Sequence, residues 1–173
     1  MSIVMGVDLG FVTSSTAISV LDQNEYSDFT KMFKIQRILK INPFLYYNGD
    51  KRLAKIVSRR LIAEAIGILF AEECVDKITI EEPYLQGEGN KLFLKFFGLI
   101  EDKILHPLLL APLSVKSYLG SGKLDKRELA EACKKYFNNK KDINLINRAI
   151  KREDWDVTDS IAIAIAGVLH ENK

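Results

Sequence analysis

The chain has 173 residues, 47% of them hydrophobic and 28% charged, with a formal net charge of +2. That is enough sequence for one domain with a full core, and the composition excludes disordered and collagen-like chains. Its longest apolar stretch, Ile161 to Leu169, is too short to cross a bilayer, and no basic leader precedes the first apolar run, so we expect a cytoplasmic protein with no membrane partner.

In chain order, Ile3 to Asp8 reads as a first strand, Gly10 to Ser15 as a turn, and Thr16 to Leu21 as a second strand paired back on it. Phe29 to Ile41 reads as a third strand, since Phe33 and Ile35 alternate with Lys34 and Gln36. Asn48-Gly49-Asp50 is a turn and helix start, after which Leu53, Ile56, Val57, Leu61, Ala65, Ile68 and Leu69 recur at helical spacing up to Cys74. Lys51, Arg52, Lys55, Arg59 and Arg60 form a basic stripe on that helix. Lys77 to Glu81 is a fourth strand, closed by Pro83. Lys91 to Leu105 is a second helix whose Phe93, Phe96, Phe97 and Ile100 give it more apolar surface than one core-facing stripe needs. We therefore expect it to meet both the sheet and a second subunit.

Leu108 to Val115 reads as a fifth strand, placed at an edge because it contains Pro112. Asp125 and Glu128 have capping-box spacing before a third helix that ends at Asn138-Asn139. Lys140 to Glu153 reads as a polar connector, and Asp156 to His170 as the last helix. The order predicts an α/β fold with a mixed five-stranded sheet flanked by helices.

Charge is unevenly distributed. Residues 114–152 hold eleven Lys/Arg against four Asp/Glu, whereas residues 1–30 hold four acids and no Lys or Arg. A nucleic acid is the leading anionic partner for such a chain. Cys74 and Cys133 read as small buried hydrophobes, and neither they nor His106 and His170 have metal-ligand spacing. Oxygen ligands are the remaining metal chemistry.

The acids supply such ligands. Asp8 ends the first strand, Glu81 ends the fourth, and Asp156 and Asp159 stand one turn apart at the head of the last helix. Each alone has an ordinary explanation as a turn acid, an ion pair or a helix cap. Apolar segments that repeatedly end in carboxylates point instead to one shared site neutralised by a cation, with Mg²⁺ as its natural occupant. Glu82 rivals Glu81, and strand alternation will aim only one of them at Asp8.

Four motifs stand in order: GVDLG at 6–10, TIEEPY at 79–84, VKSYLGSGKLDKREL at 115–129 and DVTDSIAIAIAG at 156–167. Together they resemble the RuvC family of Holliday junction resolvases, within the ribonuclease H-like superfamily, over nearly the whole length. The last motif is similar to the family's closing DxxDA[LI]A helix, with Ser160 where Ala is usual. The resemblance implies a single RuvC-like nuclease domain over residues 1–173 with a ribonuclease H-like sheet. It implies that Asp8, Glu81, Asp156 and Asp159 are the catalytic, metal-binding acids, served by two Mg²⁺ ions for which Mn²⁺ substitutes. Lys126 is the implied catalytic lysine, with Lys123 close enough to replace it. Lys116, Lys123, Lys126, Arg127 and Tyr84 are the implied DNA contacts, Tyr84 by stacking on an unpaired base.

The implied activity is that of a crossover junction endodeoxyribonuclease, a homodimer making paired incisions in four-way junctions. Leu9 stands where proline is common, and Glu82-Pro83 follows the acid. Both features resemble phage-borne members, which places the protein at the nucleoid or in a host's cytoplasm. They leave open a broader branched-DNA nuclease acting on flaps, Y structures and forks, or a ribonuclease H-like hybrid nuclease. GVDLG followed by Thr13 to Thr16 also resembles the phosphate loop of the actin and sugar-kinase superfamily. Those proteins close two such lobes on a nucleotide, and this chain supplies one.

Overall fold

A computed structural model describes residues 2–10, 15–24, 33–42, 51–82, 88–101 and 106–171. Strands β1 (Ser2–Asp8), β2 (Thr16–Gln23), β3 (Phe33–Ile41), β4 (Lys77–Glu81) and β5 (Leu108–Leu110) form one sheet in the order β3-β2-β1-β4-β5. The three N-terminal strands form an antiparallel meander, while β4 runs parallel to β1 and β5 parallel to β4. Among the described residues the helices are α1 (Lys51–Glu72), α2 (Glu88–Glu101), α3 (Pro112–Leu119), α4 (Lys126–Lys134), α5 (Lys140–Lys151) and α6 (Trp155–Glu171). The expected mixed five-stranded α/β sheet is present. No helix among the described residues is long and apolar enough to cross a membrane.

Period-two alternation divides the strand residues between two cores. Met5, Val7, Ile18, Val20, Ile78 and Ile80 pack against Ile62 and Ile66 of α1 and Phe93, Phe96 and Ile100 of α2. Val4, Leu21 and Leu110 pack on the opposite face with α3 to α6. Because both sheet faces are covered, the central strands bury side chains on both faces rather than exposing a polar one.

The α6 helix lies directly on the second face. Val157, Thr158 and every residue from Ser160 to Val168 are buried, since α3, α4 and α5 close over its outer side. Two glycines permit this approach. A Cβ on Gly6 would lie 2.1 Å from the Ser160 carbonyl oxygen, and one on Gly167 would lie 1.9 Å from Thr79 Oγ1. Beside Gly6, the Ser19 and Ser160 hydroxyls share a buried 2.6 Å hydrogen bond, and Ser160 Oγ also donates to the Val157 carbonyl. Ser160 is therefore a satisfied polar contact rather than a buried penalty.

Four sequence expectations are corrected. The fifth strand ends at Leu110, and Pro112 opens the short helix α3, where its missing N–H is no loss. Lys140 to Lys151 is a helix, not a connector; Asn139 caps it, and Ile146 and Ala149 are buried along its inner side. Phe93, Phe96 and Ile100 are buried within the chain itself, so they are not a subunit surface; among the described residues the exposed large apolar side chains of α2 are Leu94 and Leu99. Cys133 is buried as expected, whereas Cys74 is exposed beyond the end of α1.

The sheet's β3 edge is covered at one end by α5. The Asp142 carboxylate, buried in its first turn, accepts the Ile35 N–H at 3.3 Å, and the Phe33 N–H donates to the Tyr136 carbonyl. This blunts an otherwise free strand edge. Lys51, Arg52 and Lys55 of the expected basic stripe have side chains outside the described residues; Arg60 is exposed and lies 3.9 Å from Glu64.

Candidate active site

Strand register builds the floor of the site. Val7 pairs with Ile80, which brings Asp8 and Glu81, the next residues of parallel neighbours, onto the same sheet face. Asp8 pairs with Ala17 across β2, and Ala17 with Lys40 across β3. A row of Glu81, Asp8, Ala17 and Lys40 thus crosses four strands. The head of α6 brings Asp156 and Asp159 over this row, and the four acids line one cleft of about 340 Å³ with Lys116 and Lys126. Leu9, Pro112, Val115 and Leu129 supply its apolar walls.

The cleft raises the proton affinity of three of its acids. Burial, reinforced by the charges of Asp159, Glu81 and Asp156, pushes the Asp8 carboxyl up to about 8. Glu81 is pushed up to about 7, again by burial first and Asp159 second, with Lys126 and Lys116 opposing. Burial also raises Asp159, against the pull of Lys126. Carboxylates held this close, partly out of water, cannot all ionise without added positive charge.

Each α6 acid is engaged on one side. Asp156 Oδ2 accepts the Ser15 hydroxyl at 2.6 Å and lies 3.2 Å from Lys40 Nζ. Asp159 Oδ2 lies 3.3 Å from Lys126 Nζ, while its Oδ1 is buried without a hydrogen-bond partner. Among the described residues no three acids, histidines or cysteines close around a single point; the acids surround the cleft instead of meeting in it. The donor set nonetheless fits a hard divalent cation. All four candidate donors are carboxylates, one buried oxygen lacks a partner, and the raised Asp8 and Glu81 carboxyls mark where positive charge is wanted.

The other sequence candidates separate. Glu82 does not line the cleft; the next residue after Glu81 faces the other way, and its backbone N–H donates to the Leu110 carbonyl. Lys116 lines the cleft, but its ammonium donates to the Leu124 carbonyl at 2.6 Å, which ties α3 to the turn before α4. Lys126 stands in the first turn of α4 with 58% of its side chain exposed, able to leave Asp159 for another anion. Lys123 is exposed on the preceding turn and does not line the cleft. Arg127 lines a separate shallow groove with Leu124 and Glu131. Tyr84 lies outside the described residues. Sequence reasoning missed Ser15 and Lys40, whose place depends on strand register.

The sequence matches no protein-family model and no curated protein. Solved structures do match the fold. Thermus thermophilus RuvC superposes with a TM-score of 0.67 at 14% identity, over 98% of this chain and 95% of that one. The same organism's RuvC in complex with a Holliday junction substrate gives 0.60 at 13% identity, over 99% and 96%. Fowlpox virus resolvase with Holliday junction DNA gives 0.53 at 14% identity, over 98% of each chain. The fold is therefore RuvC-like, in the ribonuclease H-like class, over nearly the full length of each chain compared.

Proposed function

We propose that this chain is a divalent-cation-dependent, structure-specific endonuclease that resolves four-way DNA junctions by paired phosphodiester hydrolysis. The observation that carries the reading is the gathering of Asp8, Glu81, Asp156 and Asp159 from three separate segments onto one cleft. The RuvC-like fold supports it, since two of the compared structures were solved with Holliday junction DNA.

In this reading the four acids hold two Mg²⁺ ions, with Mn²⁺ able to replace them. When bound, the cations supply Lewis-acid activation of water and stabilisation of the leaving oxygen. The chain's own residues do the rest. Asp8 and Glu81, fixed on adjacent strands, would hold the cations from the sheet, and Asp156 and Asp159 would hold them from the head of α6. Lys126 exchanges Asp159 for a phosphate oxygen and offsets charge developing there. Lys116 shapes the cleft through its bond to Leu124. Lys123, Arg127 and the exposed Lys140, Lys141, Arg148 and Lys151 of α5 provide phosphate contacts for the DNA arms. Tyr84 follows β4 and is assigned to stacking beside the crossover.

A four-way junction has two-fold symmetry, so paired cuts call for two clefts in a homodimer. Ile68 of α1 and Leu94 and Leu99 of α2 are exposed apolar residues that a partner can cover. The test is a panel of four-way junction, flap, Y, fork, linear duplex and RNA–DNA hybrid substrates, with Mg²⁺ and with chelator, alongside light scattering. Paired cuts in junctions by a Mg²⁺-dependent dimer are the expected result. Equal cutting of flaps and forks would leave a broader branch nuclease, and preference for the hybrid would leave a ribonuclease H.

A further inference from the structure

We propose that Lys40 is a positioning residue for the cation-binding site, fixing Asp156 and the head of α6 against the sheet and thereby setting divalent-cation affinity. The inference rests on the nuclease reading and assigns a role to a residue outside the four-acid motif.

Lys40 lies near the end of β3, in register with Ala17 and, through it, with Asp8. Ala17 is small and wholly buried, so only β2 separates the lysine from Asp8, with no bulky side chain standing in the row. Its ammonium reaches Asp154 Oδ1 at 2.5 Å and Asp156 Oδ2 at 3.2 Å. Asp154 closes the turn between α5 and α6, where its N–H donates to the Ala149 carbonyl. One cation thus ties the turn, the head of the helix and the edge strand together. Ser15 donates to the same Asp156 oxygen at 2.6 Å. With Oδ2 held from two sides, the remaining oxygen of Asp156 is the one left to face a cation.

Lys40 and Lys126 form a contrast. Each pairs with an α6 acid, yet Lys126 is 58% exposed on a single 3.3 Å contact, whereas Lys40 is 38% exposed and held by two carboxylates. The first is built to move and the second to stay.

Two physical effects of removing Lys40 have opposite signs, which makes the assignment testable. Loss of a positive charge beside the site would strengthen cation binding by simple Coulomb attraction. Loss of an outer partner that orients a ligand weakens it, commonly by about 10- to 100-fold. We expect orientation to dominate.

The experiment is titration calorimetry of Mn²⁺ into the full chain as wild type, Lys40→Met and Lys40→Arg, with junction binding in chelator as a function of salt. Lys40→Met should bind Mn²⁺ at least about tenfold more weakly, Lys40→Arg should stay within about threefold of wild type, and the salt slope of junction binding should be unchanged. Asp154→Asn, which loosens the same clamp from its other end, should give a smaller loss and serves if Lys40→Met melts early. Unchanged or tighter Mn²⁺ binding by Lys40→Met overturns the inference. So does a salt slope lowered by about 0.9, the signature of a lost phosphate contact. Wild-type chain that takes up no Mn²⁺ overturns the nuclease reading and this inference with it. Wild-type uptake and cleavage with an indifferent Lys40→Met overturns the inference alone.

Discussion

Asp8→Asn should make the cation-free protein more stable while abolishing cleavage. Asp8 carries a carboxyl raised from 3.8 to about 8, and Glu81 one raised from 4.5 to about 7. The folded state therefore binds more protons than the unfolded chain between those values, and stability falls as pH rises through that window. Little is lost below about pH 4, and the loss is complete above about pH 8. Each pH unit inside the window costs about 1.4 kcal/mol per group, so Asp8 alone has a ceiling of about 5 kcal/mol at pH 7.5. Water enters the cleft, and Glu81 and Asp159 share the repulsion, so the realised figure should be about half that ceiling. Asn keeps the shape and removes the ionisation. In chelator at pH 7.5 the variant should melt roughly 5 to 10 °C above wild type, since about 2 to 4 °C accompanies each kcal/mol in a chain of this size. At pH 4.5 the two should nearly coincide. Scanning calorimetry across this range, with junction cleavage assayed in parallel, checks both halves. A variant less stable than wild type at pH 7.5, or a difference independent of pH, would refute the electrostatic account of the cleft. Retained cleavage would remove Asp8 from the proposed catalytic set.

Glu81→Gln should abolish junction cleavage with DNA binding retained, whereas Glu82→Gln should stay within a few-fold of wild type; equal losses would contradict the strand facing. Replacing Lys140, Lys141, Arg148 and Lys151 by Gln should lower the salt slope of junction binding by up to about 3.6, at about 0.9 per lost phosphate contact, with the rate at saturating DNA unchanged. An unaltered slope would take α5 off the DNA path. Gly6→Ala should destabilise the fold by about 3 kcal/mol or more, because the new methyl group meets the Ser160 carbonyl oxygen and Ala164 N at 2.1 and 2.4 Å; chemical denaturation measures it, and a wild-type midpoint would contradict the close approach of α6.

The acids were legible because a carboxylate ending an apolar run is conspicuous, and pattern alone placed Asp8, Glu81, Asp156 and Asp159 at the ends of their elements. The Glu81 and Glu82 ambiguity needed only the alternation of a strand. Helix α5 was missed because seven charged or amide residues outnumber Ile143, Leu145, Ile146, Ala149 and Ile150 over Lys140–Lys151, so composition hid a helical spacing. Pro112 was read as the mark of an edge strand, although the first turn of a helix accommodates it equally well. The α2 aromatics were assigned to a partner because one stripe against a sheet was assumed. In fact Phe93, Phe96 and Ile100 share a core with α1 as well as with the strands. Lys40 and Ser15 were invisible for a different reason: their place depends on the register across three strands, including an irregularity between Val20 and Leu21, which no local pattern encodes.

The path of the chain through the cleft also governs when hydrolytic capacity appears during folding. Position 8, position 81 and the pair 156 and 159 are distant in sequence, and they come together only after β4 has paired with β1 and α6 has settled across both. Contacts of such wide sequence separation require closing long loops and belong to the slow part of folding. An incompletely folded molecule therefore owns every acid but no cleft, and cannot cut. For an enzyme proposed to cut branched DNA, catalytic competence is tied to a finished tertiary structure, and any lesion that undocks α6 silences the nuclease rather than relaxing its selectivity.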